Sequence, residues 1–329
     1  MTAIAATVQA FFTDRLITQR NASPHTIAAY RDTVRMLLTF ATKRSGIPCH
    51  RLEFTDLDAN TVAAFLDYLE HQRHNSVRTR NARLAAIHSL FSFAVLRCPE
   101  HSAEITRVLA IPTKRADHAI VDFLTDTEAD ALASAPNRST RTGRRDHTLI
   151  VLAIQTGLRA TELLTLTRAD VHLGTGSHVR CHGKGRKDRA TPLHAETIRA
   201  LRSWLTEQPG QPTDPLFPSN RGGPMSLDAL EQRLTRHADT AQKICPTLAH
   251  KKITPHTLRH TAAMRLLHAG VDTTVIALWL GHESVETTQI YLTADLTLKE
   301  RALARTTPLP TRPGRYRPPD QLIAFLESL

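Results

Sequence analysis

Through the first third of the chain, apolar residues recur every three or four positions, the spacing of one face of an amphipathic α-helix. Ser23 and Pro24 begin the first run with a helix N-cap and a proline in the first turn. Two further runs follow, the second of them beginning near Ser76. The apolar positions of the three runs are Ile27, Tyr30, Val34, Leu37, Leu38 and Ala41, then Val62, Phe65, Leu66 and Leu69, then Leu84, Ile87, Leu90, Phe91 and Val95. This pattern predicts a small helical bundle.

Beyond residue 122 the pattern alternates between helical and extended stretches. A capping-box pattern begins at Thr125. An apolar helical run from about Asp146 to Gln155 then stops at Gly157, a residue typical of helix C-termini. Short strand-like segments at 178–182 and 189–193 flank a turn that contains glycine, and this arrangement predicts a β-hairpin. Helical periodicity then resumes. We therefore predict a mainly α-helical protein with a small β-sheet or hairpin.

Composition divides the chain into four segments. We predict a helical domain at residues 1–112, a linker at 113–122, a second domain at 123–306 and a tail at 307–329. The linker combines proline, small polar residues and cations, which suits an exposed connection. The tail starts with a stretch rich in proline and arginine and ends in a short apolar helix.

Length and charge limit the class of protein. At 329 residues the chain can hold two domains, because one hydrophobic core rarely grows beyond roughly 250–300 residues. Its 42 lysines and arginines outnumber its 31 acidic residues and give a net charge of +11. Together with an isoelectric point near 10.0, this excess favours a polyanionic partner such as nucleic acid. The abundance of arginine over lysine is equally compatible with a GC-rich genome.

Cysteine usage and the N-terminus bear on location. The four cysteines are scattered and form no Cys-x-x-Cys pair, which favours free thiols in a reducing cytosol. Asp14 and Arg15 interrupt the N-terminal region, and no run approaches the roughly 18 apolar residues of a membrane span. We therefore predict a cytoplasmic, nucleoid-associated protein with no membrane partner.

Three groups of polar and basic residues are candidates for DNA contacts. Helix N-termini attract anions through their free N–H groups, and flexible basic segments can follow a phosphate backbone. The candidates are Arg78, Arg80, Asn81 and Arg83 at the start of the third helix, Lys114 and Arg115 in the linker, and Arg186 and Lys187 in the hairpin turn. The alternative interpretation is a set of ordinary solvated surfaces.

The second domain also holds residues suited to phosphodiester chemistry. Arginines bind phosphate through two parallel hydrogen bonds, histidines donate to its oxygens or move protons, and a tyrosine hydroxyl can attack the phosphorus. The set of candidates lacks the acidic cluster expected of a metal-dependent nuclease. The candidates are Arg159, His256, Arg259, His260, His282 and Tyr291.

The spacing of His256, Arg259 and His260 places the three side chains on one face of a helix. A zinc site is one alternative, but the glutamate of the H-E-x-x-H motif is absent and Arg259 repels a cation. Core packing of isolated polar residues is the other alternative. The whole set of residues favours chemistry over both.

These residues carry a resemblance to a known family. The chain resembles the tyrosine recombinase (phage integrase) family over nearly its whole length, and residues 76–87 resemble that family's SAM-like core-binding domain. Six positions match the family pattern in identity, order and approximate spacing. They are Arg159 in T-G-L-R-A-T-E-L-L, Lys184 in H-G-K-G-R-K-D-R, His256 and Arg259 in P-H-T-L-R-H, His282 in L-G-H, and Tyr291.

The resemblance implies a two-domain clamp on double-stranded DNA, with a helical SAM-like domain and an α+β catalytic domain. Tyr291 would form a 3′-phosphotyrosyl bond and release a 5′-hydroxyl. The implied supporting roles are non-bridging oxygen contacts for Arg159 and Arg259, protonation of the leaving oxygen for Lys184, proton transfer for His256, phosphate binding for His282, and support of Arg159 by Glu162. No metal, ATP or other cofactor is implied.

The resemblance also implies an assembly. Four protomers, a homo-oligomer or a mixture with sister recombinases, would exchange strands through a Holliday junction, and the tail helix would insert into a neighbouring protomer. Two rival functions remain: a type IB topoisomerase or telomere-resolving strand transferase, and a DNA-binding regulator without catalysis. The target sequence is open, and so is the system served, whether phage, transposon, integron or chromosome dimer.

Overall fold

The computed structural model describes residues 3–115, 122–183, 188–281 and Thr288. The chain divides into two compact units, Met1–His118 and Ala119–Leu329. Both units are built mainly from helices, and the second also contains a three-stranded antiparallel sheet. The predicted fold class, mainly α with a small sheet, is confirmed.

The first unit is a helical bundle. Ser23 Oγ accepts from the backbone N–H of Thr26, so the predicted cap is present. Ser76 Oγ accepts from the backbone N–H of Thr79 and caps the helix that was predicted to begin near it. The N-terminal helices and the last helix of the bundle were not predicted individually. In chain order the elements are α1 (Ala3–Ala10), a π-helix (Phe11–Gln19), α2 (Pro24–Ser45), α3 (Ala59–His71), α4 (Val77–Ala94) and α5 (Ser102–Leu109), with short 3₁₀ turns between them.

Aromatic side chains fill the centre of this bundle. Phe11 of the π-helix, Phe65 of α3 and Phe91 of α4 are buried. The ring of Phe11 stacks on Tyr30 of α2, with 6.3 Å between ring centroids. Burying one such side chain contributes roughly 1.5–3 kcal/mol, so Phe11 ties the N-terminal segment to the bundle.

The second unit contains seven helices among the described residues. Its capping box is complete, because Thr125 Oγ1 accepts from Glu128 N and the Glu128 carboxylate accepts from Thr125 N. None of the helices in the described ranges is both long and apolar enough to cross a membrane. They are α6 (Asp126–Ser134), α7 (Arg141–Thr156), α8 (Ala160–Thr165), α9 (Ala195–Glu207), α10 (Leu227–Ala241), α11 (Pro255–His268) and α12 (Thr273–Leu280).

Helix α7 runs through the centre of the second unit and leads to the candidate site. It begins at Arg141, five residues before the predicted start near Asp146, because Thr140 caps it and its first turn is polar. Hydrophobic periodicity does not detect such a turn. At the other end Gly157 adopts a left-handed conformation with φ of 63° and ends the helix as predicted.

The sheet has the order β1-β2-β3, with β1 at Val171–His172, β2 at His178–His182 and β3 at Asp188–Pro192. The last two strands form the predicted hairpin, and Cys181 pairs with Arg189. Strand β3 begins one residue earlier than predicted. The functional residues predicted in the hairpin turn, the catalytic Lys184 and the DNA contacts Arg186 and Lys187, lie outside the described residues.

Candidate active site

Three of the six predicted catalytic residues lie among the described residues. Arg159 is at the start of α8, and His256 and Arg259 lie in the first turns of α11. Lys184, His282 and Tyr291 lie outside the described residues, as do Arg186 and Lys187 of the predicted DNA contacts. The described part of the site is therefore built by helix ends, which carry backbone groups without intrahelical partners.

Arg259 is buried between the ends of two other helices. Its Nη1 donates to the carbonyl oxygen of Gly157 at 2.7 Å, and its Nη2 donates to that of Leu280 at 2.8 Å. These oxygens end α7 and α12, where the helix dipole concentrates negative charge. Arg259 is only 3% exposed, so both hydrogen bonds form away from bulk water and fix the guanidinium plane.

Arg159 binds the same end of α12. Its Nη2 donates to the carbonyl oxygen of Gly281 at 2.8 Å, and its Nη1 donates to Glu162 Oε1 at 2.9 Å. The side chain is 28% exposed, so this guanidinium is accessible from solvent. Arg159 and Arg259 thus bind adjacent carbonyls of one helix end, although they are 100 positions apart in the sequence.

Gly157 permits this close approach of α7 and α12. A Cβ atom at this position would lie 2.5 Å from Leu280 Cδ2 and 3.0 Å from Ala262 Cβ. Its φ of 63° also disfavours residues with a side chain. Glycine is therefore required here both by the backbone and by the packing that brings Arg259 to both helix ends.

Glu162 is the buried anion of the site. Arg189 of β3 donates to both of its oxygens, from Nη1 to Oε1 at 3.0 Å and from Nη2 to Oε2 at 2.7 Å. The backbone N–H of Arg159 donates to Oε2 at 2.8 Å. Burial alone would raise the pKa of Glu162, but the hydrogen bonds from Arg189 and Arg159 outweigh it and lower the pKa to about 2.

The sequence motif pairs Glu162 with Arg159, but the contact of Glu162 with Arg189 was not among the predictions. The available signal was strand alternation: Arg189 pairs with the buried Cys181 and lies two positions before the buried Thr191. Both neighbours place Arg189 on the covered face of the sheet. An arginine on that face needs an internal anion, and Glu162 supplies it.

Glu162→Gln is expected to destabilise the second unit by roughly 3 kcal/mol at pH 7, because it removes one partner of a buried ion pair. The pKa of Glu162 is lowered from 4.5 to about 2, so its stabilising contribution is present above pH 4.5 and is lost as pH falls towards 2. The difference in the free energy of unfolding between wild type and variant should therefore be about 2 kcal/mol smaller at pH 3 than at pH 7. Chemical denaturation at both pH values measures it. Glu207→Gln, which removes a more exposed partner of Arg144, is the control and should have a much smaller effect. A difference that does not change with pH would contradict the prediction.

Two histidines lie side by side at the start of α11. The ring centroids of His256 and His260 are 5.0 Å apart, which matches the predicted shared face. Desolvation, Arg259 and Arg159 lower the pKa of His256. Burial, His256 and Arg259 lower the pKa of His260 to about 4. Both imidazoles are therefore neutral near pH 7, and a neutral imidazole can accept a proton.

The predicted DNA contacts of the first unit do not share one environment. Arg80 is buried, and its Nη1 donates to Asn81 Oδ1 at 3.1 Å and to the carbonyl oxygen of Pro112 at 3.2 Å. Asn81 Nδ2 donates to the carbonyl oxygen of Lys114 at 2.7 Å, and Lys114 Nζ donates to Glu70 Oε2 at 2.6 Å. Arg80 and Asn81 therefore hold the chain after α5 against α4, and Lys114 is held there too.

The remaining cations of this group are more accessible. Arg78 and Arg115 are exposed, and Arg83 is half-buried. Burial and the charge of Arg73 lower the pKa of Arg83, while Asp32 acts in the opposite direction. Of the predicted contacts in the first unit, Arg78 and Arg115 are the two whose exposure suits a phosphate contact most directly.

Known proteins resemble the chain in both units. The sequence profile of the phage integrase family matches residues 122–297. The profile of the phage integrase N-terminal SAM-like domain matches residues 10–97. The first match contains the six predicted catalytic positions, and the second contains α2, α3 and α4.

Individual relatives agree with these matches. A protein named as an integrase/recombinase, y4rC of Sinorhizobium fredii, is 53% identical over 326 residues, which are 99% of this chain and 98% of the relative. Tyrosine recombinase XerC of Pelobacter propionicus is 32% identical over 84% of this chain and 87% of its own. The crystal structure of the site-specific recombinase XerH bound to its difH substrate has a TM-score of 0.65 and 26% identity, and the alignment covers 87% of this chain and 81% of XerH. The chain therefore belongs to the phage integrase family and is a site-specific tyrosine recombinase.

Proposed function

We propose that the protein cleaves and rejoins double-stranded DNA at specific sites, with Tyr291 as the nucleophile. The observation that carries this proposal is the placement of Arg159 and Arg259 at the end of α12, immediately before His282 in the sequence. Tyr291 follows nine residues later. Two fixed guanidiniums next to the segment that carries the nucleophile suit a phosphodiester whose charge grows in the transition state.

Each of the six residues has a role in this proposal. Arg159 and Arg259 hold the non-bridging oxygens of the scissile phosphate, and His282 also binds it. His256, a neutral imidazole at pH 7, accepts the proton of the Tyr291 hydroxyl. Lys184 protonates the 5′-oxygen as it leaves. The phosphotyrosyl bond keeps the energy of the phosphodiester, so rejoining requires neither ATP nor a metal ion.

DNA is the proposed partner of both units. The XerH relative was solved with its difH substrate, and the net charge of +11 suits a polyanion. Arg78, Arg83 and Arg115 contact phosphates from the first unit, and Arg186 and Lys187 contact them from the hairpin. The break between the compact units, after His118, falls inside the proposed linker of residues 113–122. This supports the proposed helical domain at 1–112 and catalytic domain at 123–306.

A comparison of two assays on supercoiled plasmids tests the function. One plasmid carries two copies of the recombination site from the DNA beside the gene, and the other carries one copy. Recombination is expected to produce deletion or inversion of the two-site plasmid, with little relaxation of the one-site plasmid. Rapid relaxation of both plasmids without rearrangement would favour a type IB topoisomerase-like activity. DNA binding without any cleavage would favour the regulator.

We also propose that four protomers assemble on DNA and that the tail at 307–329 links them. The last ten residues include Leu322, Ile323, Phe325, Leu326 and Leu329. A helix this short is marginal in water and requires an apolar partner. A head-to-tail contact between protomers provides that partner and closes a ring.

Deletion of residues 320–329 is expected to weaken cooperative binding of two half-sites by about tenfold while leaving binding of one half-site unchanged. Band-shift titrations with one and two half-sites measure both quantities. A variant with Leu326→Asp alone should reproduce the loss, because one buried charge disrupts the apolar contact. Unchanged cooperativity in both variants would show that the tail does not join protomers.

A further inference from the structure

Three consecutive backbone carbonyls at the end of α12 each accept a hydrogen bond from a different arginine. A helix end offers such carbonyls because they have no intrahelical N–H partner. The three pairs are Arg189 Nε to Trp279 O at 3.1 Å, Arg259 Nη2 to Leu280 O at 2.8 Å, and Arg159 Nη2 to Gly281 O at 2.8 Å. Only two of these arginines belong to the proposed catalytic set.

The third arginine, Arg189, shares its anion with a catalytic arginine. Glu162 accepts two hydrogen bonds from Arg189 and one from Nη1 of Arg159. The side chains of Arg189 and Glu162 are 12% and 3% exposed, so little water screens their interaction. A bidentate arginine–carboxylate pair fixes the plane of both groups. Arg189 therefore helps to fix the position of the Glu162 carboxylate, whose Oε1 accepts from both Arg189 and Arg159.

Arg189 also connects two other parts of the site. It is the second residue of β3, and it follows Lys184 by five positions. Through Trp279 it binds the helix end that precedes His282. Close packing adds to this contact, because a Cβ atom at Gly281 would lie 2.9 Å from Nη1 of Arg189.

We propose that Arg189 is a positioning residue for strand cleavage: through Glu162 and the end of α12, it holds the Arg159 guanidinium in place for the scissile phosphate. This proposal rests on the proposed function above. Without Arg189, Glu162 loses its bidentate partner and α12 loses one of the three arginine contacts at its end. Arg159 then retains its charge but not its fixed position. A misplacement of about 1 Å in an active site can reduce a rate by roughly 100-fold.

A substrate with a neutral scissile linkage separates this role from a general loss of stability. Methylphosphonate replaces one non-bridging oxygen by methyl and removes the charge that Arg159 stabilises. Single-turnover cleavage is measured for wild type, Arg189→Ala and Arg189→Lys on three substrates: phosphodiester, methylphosphonate, and a phosphodiester with sulfur in place of the bridging 5′-oxygen. Half-site affinity and thermal unfolding are measured for the same proteins. Lysine keeps the charge but cannot bind both oxygens of Glu162, and it provides a second variant if alanine does not fold.

We expect Arg189→Ala to cleave the phosphodiester roughly 100-fold more slowly than wild type, with half-site affinity within about threefold. Arg189→Lys should be intermediate. On the methylphosphonate substrate, the cleavage rates of both variants should lie within about threefold of the wild-type rate. Arg168→Ala is the matched control, because Arg168 also binds carbonyls at a helix end, those of Leu205 in the last turn of α9 and of Gln208 at its C-cap. Its cleavage rates should equal those of wild type on both substrates.

Three outcomes overturn the proposal. An equal loss on both substrates would mean that Arg189 supports folding only. A wild-type rate on the phosphodiester would mean that it is dispensable. Rescue by a 5′-sulfur leaving group, with none by methylphosphonate, would mean that it acts through Lys184 instead. A wild-type protein that forms no covalent adduct at all would contradict the proposed function itself, so the two failures are distinguishable.

Discussion

Tyr291→Phe is expected to abolish covalent adduct formation with DNA, with a loss of cleavage of at least about 10⁴-fold. Phenylalanine retains the ring but lacks the hydroxyl oxygen that is the proposed nucleophile. The phenol contributes little of the charge that holds DNA, so half-site affinity should stay within about twofold. Suicide substrates with a nick beside the cleavage point trap the adduct, because the released fragment diffuses away. The adduct is then counted on a denaturing gel.

Tyr316→Phe is the matched control for this experiment. Tyr316 is the other tyrosine of the second unit, and it lies in the tail. Its substitution should leave the adduct at the wild-type level. Adduct formation by Tyr291→Phe together with its loss in Tyr316→Phe would assign the nucleophile to the tail. Adduct formation by both variants would show that neither Tyr291 nor Tyr316 is the required nucleophile.

Local signals made much of the fold predictable. Ser23 and Ser76 cap helices with their own side chains, and Thr125 does so within a capping box. Gly157 ends a helix in the left-handed conformation that glycine adopts readily. In each case the residues that carry the signal lie within four positions of the feature that they determine. A single sequence therefore contains the necessary information.

Other features depend on distant residues and were not predictable. Three arginines at the start of α4 look alike in sequence, yet Arg80 is buried and Arg78 is exposed. The difference arises because Arg80 meets Pro112, which is 32 positions away. No periodicity within α4 reports that contact. The sequence therefore places these arginines in one predicted DNA-binding group, although the contact with Pro112 separates Arg80 from the others.

The candidate site shows the same division. The six predicted catalytic positions lie in short motifs, so a single sequence is enough to propose them. Their geometry depends on the end of α12, which Arg159 reaches across 122 positions and Arg189 across 90. Arg189 lies close to Lys184 in sequence, but the positioning role proposed for it follows from its contacts with Glu162 and Trp279. A sequence motif indicates which side chains are candidates for the site, whereas the packing of helix ends determines how those side chains are oriented.

A sulfur atom in place of the bridging 5′-oxygen is expected to restore cleavage to Lys184→Ala but not to Arg259→Ala. On the normal substrate, loss of a general acid should reduce the rate by roughly 10²–10⁴-fold. A thiolate leaves without protonation, so the sulfur substrate should bring Lys184→Ala to within about tenfold of wild type. Single-turnover cleavage of both substrates measures the rescue.

Arg259→Ala provides the contrast, because its defect lies elsewhere. Arg259 binds carbonyls at the ends of α7 and α12, and in the proposal it also holds a non-bridging oxygen. A better leaving group does not replace that positive charge. The loss of cleavage rate in Arg259→Ala relative to wild type should therefore differ by less than about threefold between the normal and the sulfur substrate. Lys187→Ala tests the choice of lysine and should need no rescue. Equal rescue of Lys184→Ala and Arg259→Ala would show that Lys184 is not the general acid. Rescue of Lys187→Ala alone would instead assign the general acid to Lys187.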